Sequence, residues 1–193
     1  NQMYVKGILS DDFMMNHETM YERFYKGTIC VVRDSGINDY IPVIASESLI
    51  VPLQVNKNDF VEAKGEVRTR NSGGKLEVFM FLTNIKQTEM DFANEVMLEG
   101  NLCRKPNLRE TPLGREISDI IVAVPRRFGK ADYIPCITWG RHARKTYMYD
   151  VGKPVKVKVR FQSREYDKKT DLGIERRTAY EISAEFIDDA EES

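Results

Sequence analysis

Two stretches in the second half of the chain interleave basic and aromatic side chains. Arg126, Arg127, Phe128 and Lys130 surround Gly129 in the first stretch, and the second runs over residues 164–177. Binding one nucleic-acid strand without sequence preference requires cations for the phosphates and flat rings on which bases stack. Because both stretches supply both kinds of group, they are candidate contacts for a single nucleic-acid strand.

Three further observations extend or limit this set. A basic residue, Arg160, follows Lys156 and Lys158 on the polar face of a strand, which is also what an ordinary solvated face would show. Trp139 stands beside a predicted helix start, where a tryptophan is equally often part of a core. The second stretch could also be a solvated hairpin, although Tyr166 among its charges favours binding. The predicted contacts are Arg126, Arg127, Phe128, Lys130, Trp139, Arg160, Arg164, Tyr166, Lys168, Lys169, Arg176 and Arg177.

The first half of the chain offers fewer such residues. Weaker candidates are Arg33, Arg68, Arg70 and Lys75. Asp34, Glu62 and Glu66 lie near them in the sequence, and their carboxylates would repel a phosphate backbone. We therefore expect the first half to bind weakly or to serve mainly as an assembly surface.

The formal net charge of −1 conceals a difference between the halves. Residues 1–93 carry 10 Lys/Arg against 13 Asp/Glu, whereas residues 94–187 carry 19 against 13. The first half is therefore acidic and the second half is basic by six charges. Such asymmetry indicates a polyanionic partner for the second half.

The two halves are also copies of one another at an offset of 93 residues. Asn1 to Leu9 (NQMYVKGIL) matches residues 94–102 (NEVMLEGNL), and Asp39 to Pro42 (DYIP) recurs at residues 132–135. Residues 61–70 match residues 155–164 after one added residue. A period of this length is that of a small domain rather than a solenoid repeat, so the chain is predicted to be a tandem duplication. Its short join without Gly or Pro predicts that the two modules pack together or are held at a restricted angle.

The second copy gives the clearest secondary structure. Val155, Val157, Val159 and Phe161 alternate with polar residues, the pattern of a half-buried strand. Further strands are predicted within residues 94–102, 120–124, 133–138 and 178–187, a helix within 141–149, and a long loop over 164–177. Five strands with a short helix between the third and fourth is the arrangement of the OB fold.

The predicted fold class is therefore all-β with short helices, in the form of two tandem five-stranded OB-fold barrels. The predicted boundaries are 1–88 for a diverged acidic module, 94–187 for a basic module, and 188–193 for a short acidic tail.

From Asn94 to Ala184 the residues resemble the bacterial single-stranded DNA-binding protein family. The resemblance lies in the order and spacing of NEVMLEGNL, KPNLRETPLG, IIVAVPRRF, DYIPCITWGRHA, SREYD and RRTAYEISA. The first copy departs further, with Ser46 where the second has Trp139 and no equivalent of the long loop.

The resemblance implies sequence-independent binding of single-stranded DNA in replication, recombination or repair, without cofactor or enzymatic activity. It also implies a homodimer with four OB folds and replication or repair proteins as partners, which family members recruit through an aromatic-tipped acidic tail. Residues 188–193 are acidic but hold no aromatic residue. Two alternatives are a primosome accessory protein of the same fold and an interaction module that has lost DNA binding.

Other classes of function find no support in the sequence. His17 and His142 have no Cys or carboxylate at metal-ligand spacing, and no phosphate-binding loop motif is present. Cys30, Cys103 and Cys136 are odd in number and form no CxxC pair, which fits a reducing cytosol. No apolar run is long enough to span a bilayer. We therefore expect a non-enzymatic cytoplasmic protein, associated with the nucleoid through its DNA partner, with no bound metal.

Overall fold

Alternating apolar and polar residues along most of the chain produce strands rather than helices. The structure is a computed structural model that describes residues 1–190. Its strands are β1 (Gln2–Glu18), β2 (Arg23–Val32), β3 (Asn38–Ser46), β4 (Phe60–Ser72), β5 (Lys75–Gln87), β6 (Ala93–Leu102), β7 (Asn107–Glu110), β8 (Glu116–Pro125), β9 (Ala131–Trp139), β10 (Pro154–Thr170) and β11 (Gly173–Asp189). Helix α1 (Glu47–Ile50) follows β3, and α2 (Arg141–Tyr147) follows β9. Neither helix is long and apolar enough to cross a bilayer.

The strands close into two barrels of the same topology. In the first, β1 pairs with both β2 and β4, and a parallel pairing places Val43 of β3 opposite Met80 of β5. In the second, β6 pairs with both β8 and β10, and Ile137 of β9 lies opposite Ser183 of β11. The predicted pair of OB-fold barrels is confirmed.

Each barrel is filled from one face of its strands. In β10, Val155, Val157, Val159 and Phe161 are completely buried, and the intervening Lys156, Lys158 and Arg160 are exposed. The predicted alternation is thus confirmed, and it leaves the basic side chains of this strand on the outer surface. Burial of each large side chain contributes about 1.5–3 kcal/mol to folding.

The two modules share one seam. Strand β1 pairs antiparallel with β6, from Gln2 opposite Met97 to Lys6 opposite Ala93, so the barrels form one continuous sheet. The repeated asparagines anchor this region. The side chain of Asn1 donates to the Val67 carbonyl (2.7 Å) and accepts from its amide (3.0 Å), and Asn94 does the same with Phe161 (2.7 and 3.0 Å).

Gly7 and Gly100 occupy equivalent positions in the two copies, and steric crowding explains why both are glycine. A Cβ atom at Gly7 would lie 2.3 Å from the carbonyl oxygen of Cys30, and one at Gly100 would lie 2.1 Å from that of Ala123. Both distances are shorter than any non-bonded contact allows, so each first strand crosses its neighbour only where the side chain is a hydrogen.

Three sequence predictions differ from the structure. The predicted long loop over residues 164–177 is an extension of β10 and β11, which turn at Asp171 and Leu172. Cross-strand pairs of opposite charge, such as Lys168 opposite Glu175, take the place of apolar alternation there. The second module also gains a sixth strand, β7, paired with β8.

The third difference concerns the predicted acidic tail. Asp188 and Asp189 belong to β11, where they pair with Lys145 (3.2 Å) and Lys153 (3.4 Å). The rest of the predicted tail, residues 191–193, lies outside the described residues.

Candidate nucleic-acid interface

The turn between β8 and β9 presents an aromatic ring to solvent. Phe128 is 98% exposed and has a φ of 64°, a left-handed conformation that costs a side-chain-bearing residue about 1–2 kcal/mol. Arg127 and Lys130 beside it are exposed, and neither has a carboxylate partner within residues 1–190. The predicted grouping of a ring with two available cations is therefore present at this turn.

Arg126, from the same stretch, occupies a different environment. Its guanidinium makes a two-pronged ion pair with buried Asp132 and donates to the Thr69 carbonyl of the first module (3.3 Å). Asp132 also accepts from the amide (2.8 Å) and hydroxyl (3.2 Å) of Thr69. We refer to Arg126, Asp132 and Thr69 as the Asp132 clasp. Since the guanidinium is already engaged, Arg126 joins the modules, and as a candidate DNA contact it ranks below the unpaired cations.

The equivalent residues of the first module form a matching structure, the Asp39 clasp. Arg33 donates to both carboxylate oxygens of Asp39 (2.7 Å each), and Asp39 accepts from the amide of Ser163 in the second module (2.8 Å). The Ser163 hydroxyl accepts in turn from the Tyr40 amide (2.7 Å). Arg33, a weaker candidate contact, is therefore also a joining residue.

The extended hairpin of β10 and β11 carries the second group of candidates. Arg164 lies over the ring of Tyr166, with 5.8 Å between the guanidinium carbon and the ring centroid. Arg164, Lys168 and Lys169 are exposed and, among the described residues, make no ion pair. A flat ring flanked by available cations is the arrangement that single-strand binding requires.

Other predicted cations on this hairpin are already paired. Arg160 is bound to Glu185, Arg176 to Glu165 (2.8 Å), and Arg177 to Glu175 (2.7 Å). All are at the surface, where an ion pair contributes only about 0–1 kcal/mol, so a phosphate could replace the carboxylate. We rank these three residues below the unpaired cations.

Trp139 is half-buried at the end of β9. Its indole Nε1 donates to the hydroxyl of Ser183 on β11 (2.9 Å), which fixes the ring against the barrel. The exposed edge of the ring lines a shallow depression with Arg115 and Arg144. Trp139 thus combines features of a core residue and of a candidate contact. Its Nε1 edge anchors the ring to the barrel, and its other edge faces solvent beside cations.

The candidates of the first module are largely neutralised. Arg68 pairs with Glu66 (3.2 Å) and stacks on Phe81, with 3.8 Å between its guanidinium carbon and the ring centroid. Arg70 pairs with Glu77 (2.7 Å). Of the weaker set, Lys75 alone has no carboxylate partner within residues 1–190.

A groove between the two long hairpins joins the modules' surfaces. The β4–β5 hairpin contributes Lys75 and Leu76, and the β10–β11 hairpin contributes Tyr166 and Tyr180. The groove continues across the second barrel, where it is lined by Arg104, Arg109, Arg164 and Glu181. It is thus a continuous path that passes from one module to the other.

Sequence reasoning missed Tyr180 and Arg104, which line this path, and the exposed ring of Tyr133, which lies outside its lining. Tyr133 and Tyr180 are about half exposed on the outer faces of β9 and β11, and Arg104 is exposed beyond the end of β6. The two tyrosines sit at solvent-facing positions of predicted strands, where an aromatic residue is unusual enough to be noticed.

Three acidic side chains line the groove: Glu77 is paired with Arg70 and Asp119 with Arg109, whereas Glu181 makes no ion pair within residues 1–190. Burial raises the pKa of the Glu181 carboxyl, although Arg164, Arg33 and Arg109 act to lower it. Burial thus makes this carboxyl easier to protonate than a solvated one, which reduces its repulsion of a phosphate chain. Within residues 1–190, no cluster of His, Cys, Asp and Glu is suited to hold a metal ion.

The fold and this surface define a tandem OB-fold protein with an aromatic and cationic groove, the class that binds single nucleic-acid strands. Comparisons with known proteins place it more narrowly. The model of the single-strand binding protein family matches residues 93–189, which is half of the chain. The chain therefore belongs to the single-strand binding protein family.

Relatives and solved structures agree with this assignment. Single-stranded DNA-binding protein 3 of Clostridium acetobutylicum is 40% identical over 101 residues, covering 49% of this chain and 68% of that protein. Single-stranded DNA-binding protein B of Bacillus subtilis is 34% identical over 88 residues, covering 42% and 78% respectively. The crystal structure of the wild-type single-stranded DNA-binding protein from Thermus aquaticus is only 20% identical but covers the whole chain, with a TM-score of 0.78 and 94% of that chain covered. The last comparison shows that the two-barrel fold extends over both modules.

Proposed function

We propose that this chain binds single-stranded DNA without sequence preference, and that the second module makes most of the contacts. Family membership supports the activity. The observation that carries the assignment to one module is the distribution of available cations. Six predicted cations have no carboxylate partner among the described residues: Arg127, Lys130, Arg164, Lys168 and Lys169 lie in the second module, and Lys75 lies in the first.

The groove between the hairpins is the proposed path for the strand. Phosphates would follow the unpaired cations, and bases would stack on Tyr166, Tyr180 and Phe128, whose rings face solvent. Base stacking on an aromatic ring contributes about 1–3 kcal/mol per base and does not depend on sequence. Lys26 and Lys75 would let the strand continue over the first module.

Salt dependence provides a quantitative expectation. Each phosphate neutralised on a single strand changes the slope of log affinity against log salt by about −0.7, so five contacts give a slope near −3.5. A strand that is held only by stacking would show little dependence on salt.

The test is a titration of fluorescently labelled oligo-dT at several salt concentrations, with a duplex of equal length for comparison. Tight binding of oligo-dT, weak binding of the duplex and a slope near −3.5 (about 0.7 per contact) are expected. A triple variant, Arg164→Ala with Lys168→Ala and Lys169→Ala, should bind more weakly with a shallower slope. Its control, Lys57→Ala with Arg141→Ala, removes two exposed cations that lie outside both the groove and the seam and make no ion pair within residues 1–190. No binding of oligo-dT at low salt would instead favour an interaction module that has lost DNA binding.

We further propose that the chain forms a homodimer, which would bring four OB folds together. The dimer would act on the chromosome, in the cytoplasm, during replication, recombination or repair. The outer face of the seam supports this assembly because Tyr4 and Met97 line a shallow depression there, flanked by Lys64, Glu95 and Lys158. A surface with both signs of charge around an apolar centre can pair with its own two-fold copy. Light scattering should give twice the mass of the chain, and a monomer would contradict the assembly.

A further inference from the structure

The two modules carry opposite net charge in the hairpin that joins their first two long strands. We call residues 11–23 the acidic hairpin and residues 104–116 the basic hairpin; they are equivalent at the repeat offset of 93. The acidic hairpin holds four Asp/Glu and one Arg, whereas the basic hairpin holds four Lys/Arg and two Glu. The net charges are therefore −3 and +2.

The reversal of charge occurs position by position. Equivalent pairs of opposite sign are Asp11 and Arg104, Asp12 and Lys105, Glu22 and Arg115, and Arg23 and Glu116. The reversal at four equivalent sequence positions gives the two hairpins opposite charge, so they are electrostatically complementary.

Both hairpins also expose apolar side chains at their tips. Met20 and Tyr21 are 89% and 91% exposed in the acidic hairpin, and Leu113 is 90% exposed in the basic hairpin. Met14 and Met15 extend the apolar surface of the first. Methionine side chains are flexible and polarisable, so they adapt to a partner surface, and an apolar tip rimmed by charge is typical of an interaction site.

The seam places the hairpins at opposite ends of the molecule. Strand β1 continues into the acidic hairpin past Lys6, which lies opposite Ala93 at the start of β6. Strand β6 continues into the basic hairpin past Met97, which lies opposite Gln2 at the start of β1. Because the two strands are antiparallel, their continuations leave the seam in opposite directions.

We propose that the acidic hairpin of one copy docks on the basic hairpin of the next copy. Complementary surfaces at opposite ends of one molecule form a head-to-tail contact, which repeats from copy to copy as a ring or an open row. The contact is separate from the two-fold assembly at the seam. Its use in lining up copies along DNA rests on the proposed function, but the contact itself does not.

The charge balance favours a second copy over an unrelated protein as the occupant. Asp11 is exposed and makes no side-chain hydrogen bond or ion pair within residues 1–190, and the same is true of the exposed guanidiniums of Arg104 and Arg115. Asp11 and Arg104 are thus unpaired charges of opposite sign at equivalent places on the two ends, while Glu22, the equivalent of Arg115, accepts a hydrogen bond from the Ser48 hydroxyl (3.1 Å).

The test is charge exchange, measured by sedimentation of the full chain without DNA at low salt. Reversal of the acidic end (Asp11→Arg with Glu22→Lys) or of the basic end (Arg104→Asp with Arg115→Glu) should weaken formation of species larger than the basal assembly about tenfold. The chain with both reversals should regain that association, because its ends are complementary again. Melting curves establish that each variant is folded.

Two outcomes would overturn the proposal. One is association unchanged by either single reversal, and the other is a doubly reversed chain that associates no better than the singly reversed chains. The acidic-end variant should also bind a short oligo-dT no more weakly than the natural chain. Loss of self-association with intact oligo-dT binding in the acidic-end variant supports the contact. Absence of oligo-dT binding in the natural chain would refute the proposed function, but it would not change the sedimentation result.

Discussion

Asp132 of the second module accepts hydrogen bonds from the backbone amide and the hydroxyl of Thr69 in the first module, at 2.8 and 3.2 Å. The carboxylate is almost completely buried and is neutralised by Arg126. The repeat-equivalent bond runs in the opposite direction, from Ser163 of the second module to Asp39 of the first (2.8 Å). Each module thus supplies a buried carboxylate that binds the backbone of the other, and the modules are held at a fixed angle by two such clasps.

Replacement of Asp132 by alanine should destabilise the whole chain. The substitution leaves the partly buried guanidinium of Arg126 without its counter-charge and the Thr69 amide without an acceptor, and breaking such a pair costs about 3–5 kcal/mol. Urea unfolding measures the loss. Glu116→Ala is the matched control, because its pair with Arg144 lies at the surface and should contribute no more than about 1 kcal/mol. Equal losses in the two variants would contradict a special role for the clasp.

Acid should weaken the same clasp. Burial tends to raise the pKa of Asp132, but the hydrogen bonds from Arg126 and Thr69 outweigh it and hold this pKa below the ordinary 3.8. A carboxyl with a lowered pKa in the folded state stabilises the protein above its unfolded pKa, and the contribution is lost as pH falls through the folded pKa. The free energy of unfolding should therefore decrease below about pH 4, and the decrease should be smaller in Asp132→Asn. An identical acid profile in that variant would show that other carboxyls are responsible.

Removal of the Phe128 ring should weaken DNA binding without weakening the fold. Phe128→Gly deletes an exposed ring and relieves a left-handed backbone conformation, so the unfolding free energy should stay constant or rise. Affinity for oligo-dT should fall about tenfold, within the range for the loss of one stacked base. Phe128→Trp keeps a ring at this position and should retain the affinity. If the glycine variant binds as tightly as the natural chain, Phe128 is not a stacking residue.

Unpaired and paired arginines of β10 should respond differently. Arg164→Ala removes a cation that has no carboxylate partner within residues 1–190, and the salt slope for oligo-dT should become shallower by about 0.7. Arg160→Ala, on the same strand, removes a cation already bound to Glu185 and should change the slope less. Anisotropy titrations between low and moderate salt measure both slopes. A larger effect at Arg160 would reverse our ranking of these residues.

The three thiols should differ in reactivity. Burial raises the pKa of the Cys136 thiol to about 12, and burial together with the charge of Asp39 raises that of Cys30. Cys103 is only half-buried, and the thiolate is the reactive form. Near pH 8, Ellman's reagent should titrate one thiol rapidly in the folded protein and all three after denaturation. Rapid reaction that persists in Cys103→Ser would contradict this assignment.

Much of the fold is determined by patterns that a single sequence displays. The repeat at 93 residues and the alternation at Val155 to Phe161 predict the number of barrels and the faces that fill them. The extended β10–β11 hairpin could not be predicted in this way, because cross-strand charge pairs such as Lys168 and Glu175 leave no apolar period to detect. Strand β7 is four residues long, too short for periodicity to reveal.

The availability of the candidate cations could not be predicted from the sequence, for a physical reason. Residue type shows that a side chain is cationic, but only the tertiary structure shows whether a carboxylate already neutralises it. Arg126 and Arg127 are adjacent in sequence, yet the first joins two modules and the second has no carboxylate partner among the described residues. A usable signal was present in the sequence, since Arg and Asp recur six residues apart in both copies.

The seam between β1 and β6 also bears on how this protein can change by mutation. In an assembly of identical single-barrel chains, any substitution appears in every barrel, so a change that suits one surface is imposed on all of them. Fusion of two barrels into one polypeptide removes that constraint, because each barrel is encoded separately while the strand pairing keeps them together. The acidic, methionine-rich end could thus be acquired without any loss of the basic surface at the other end.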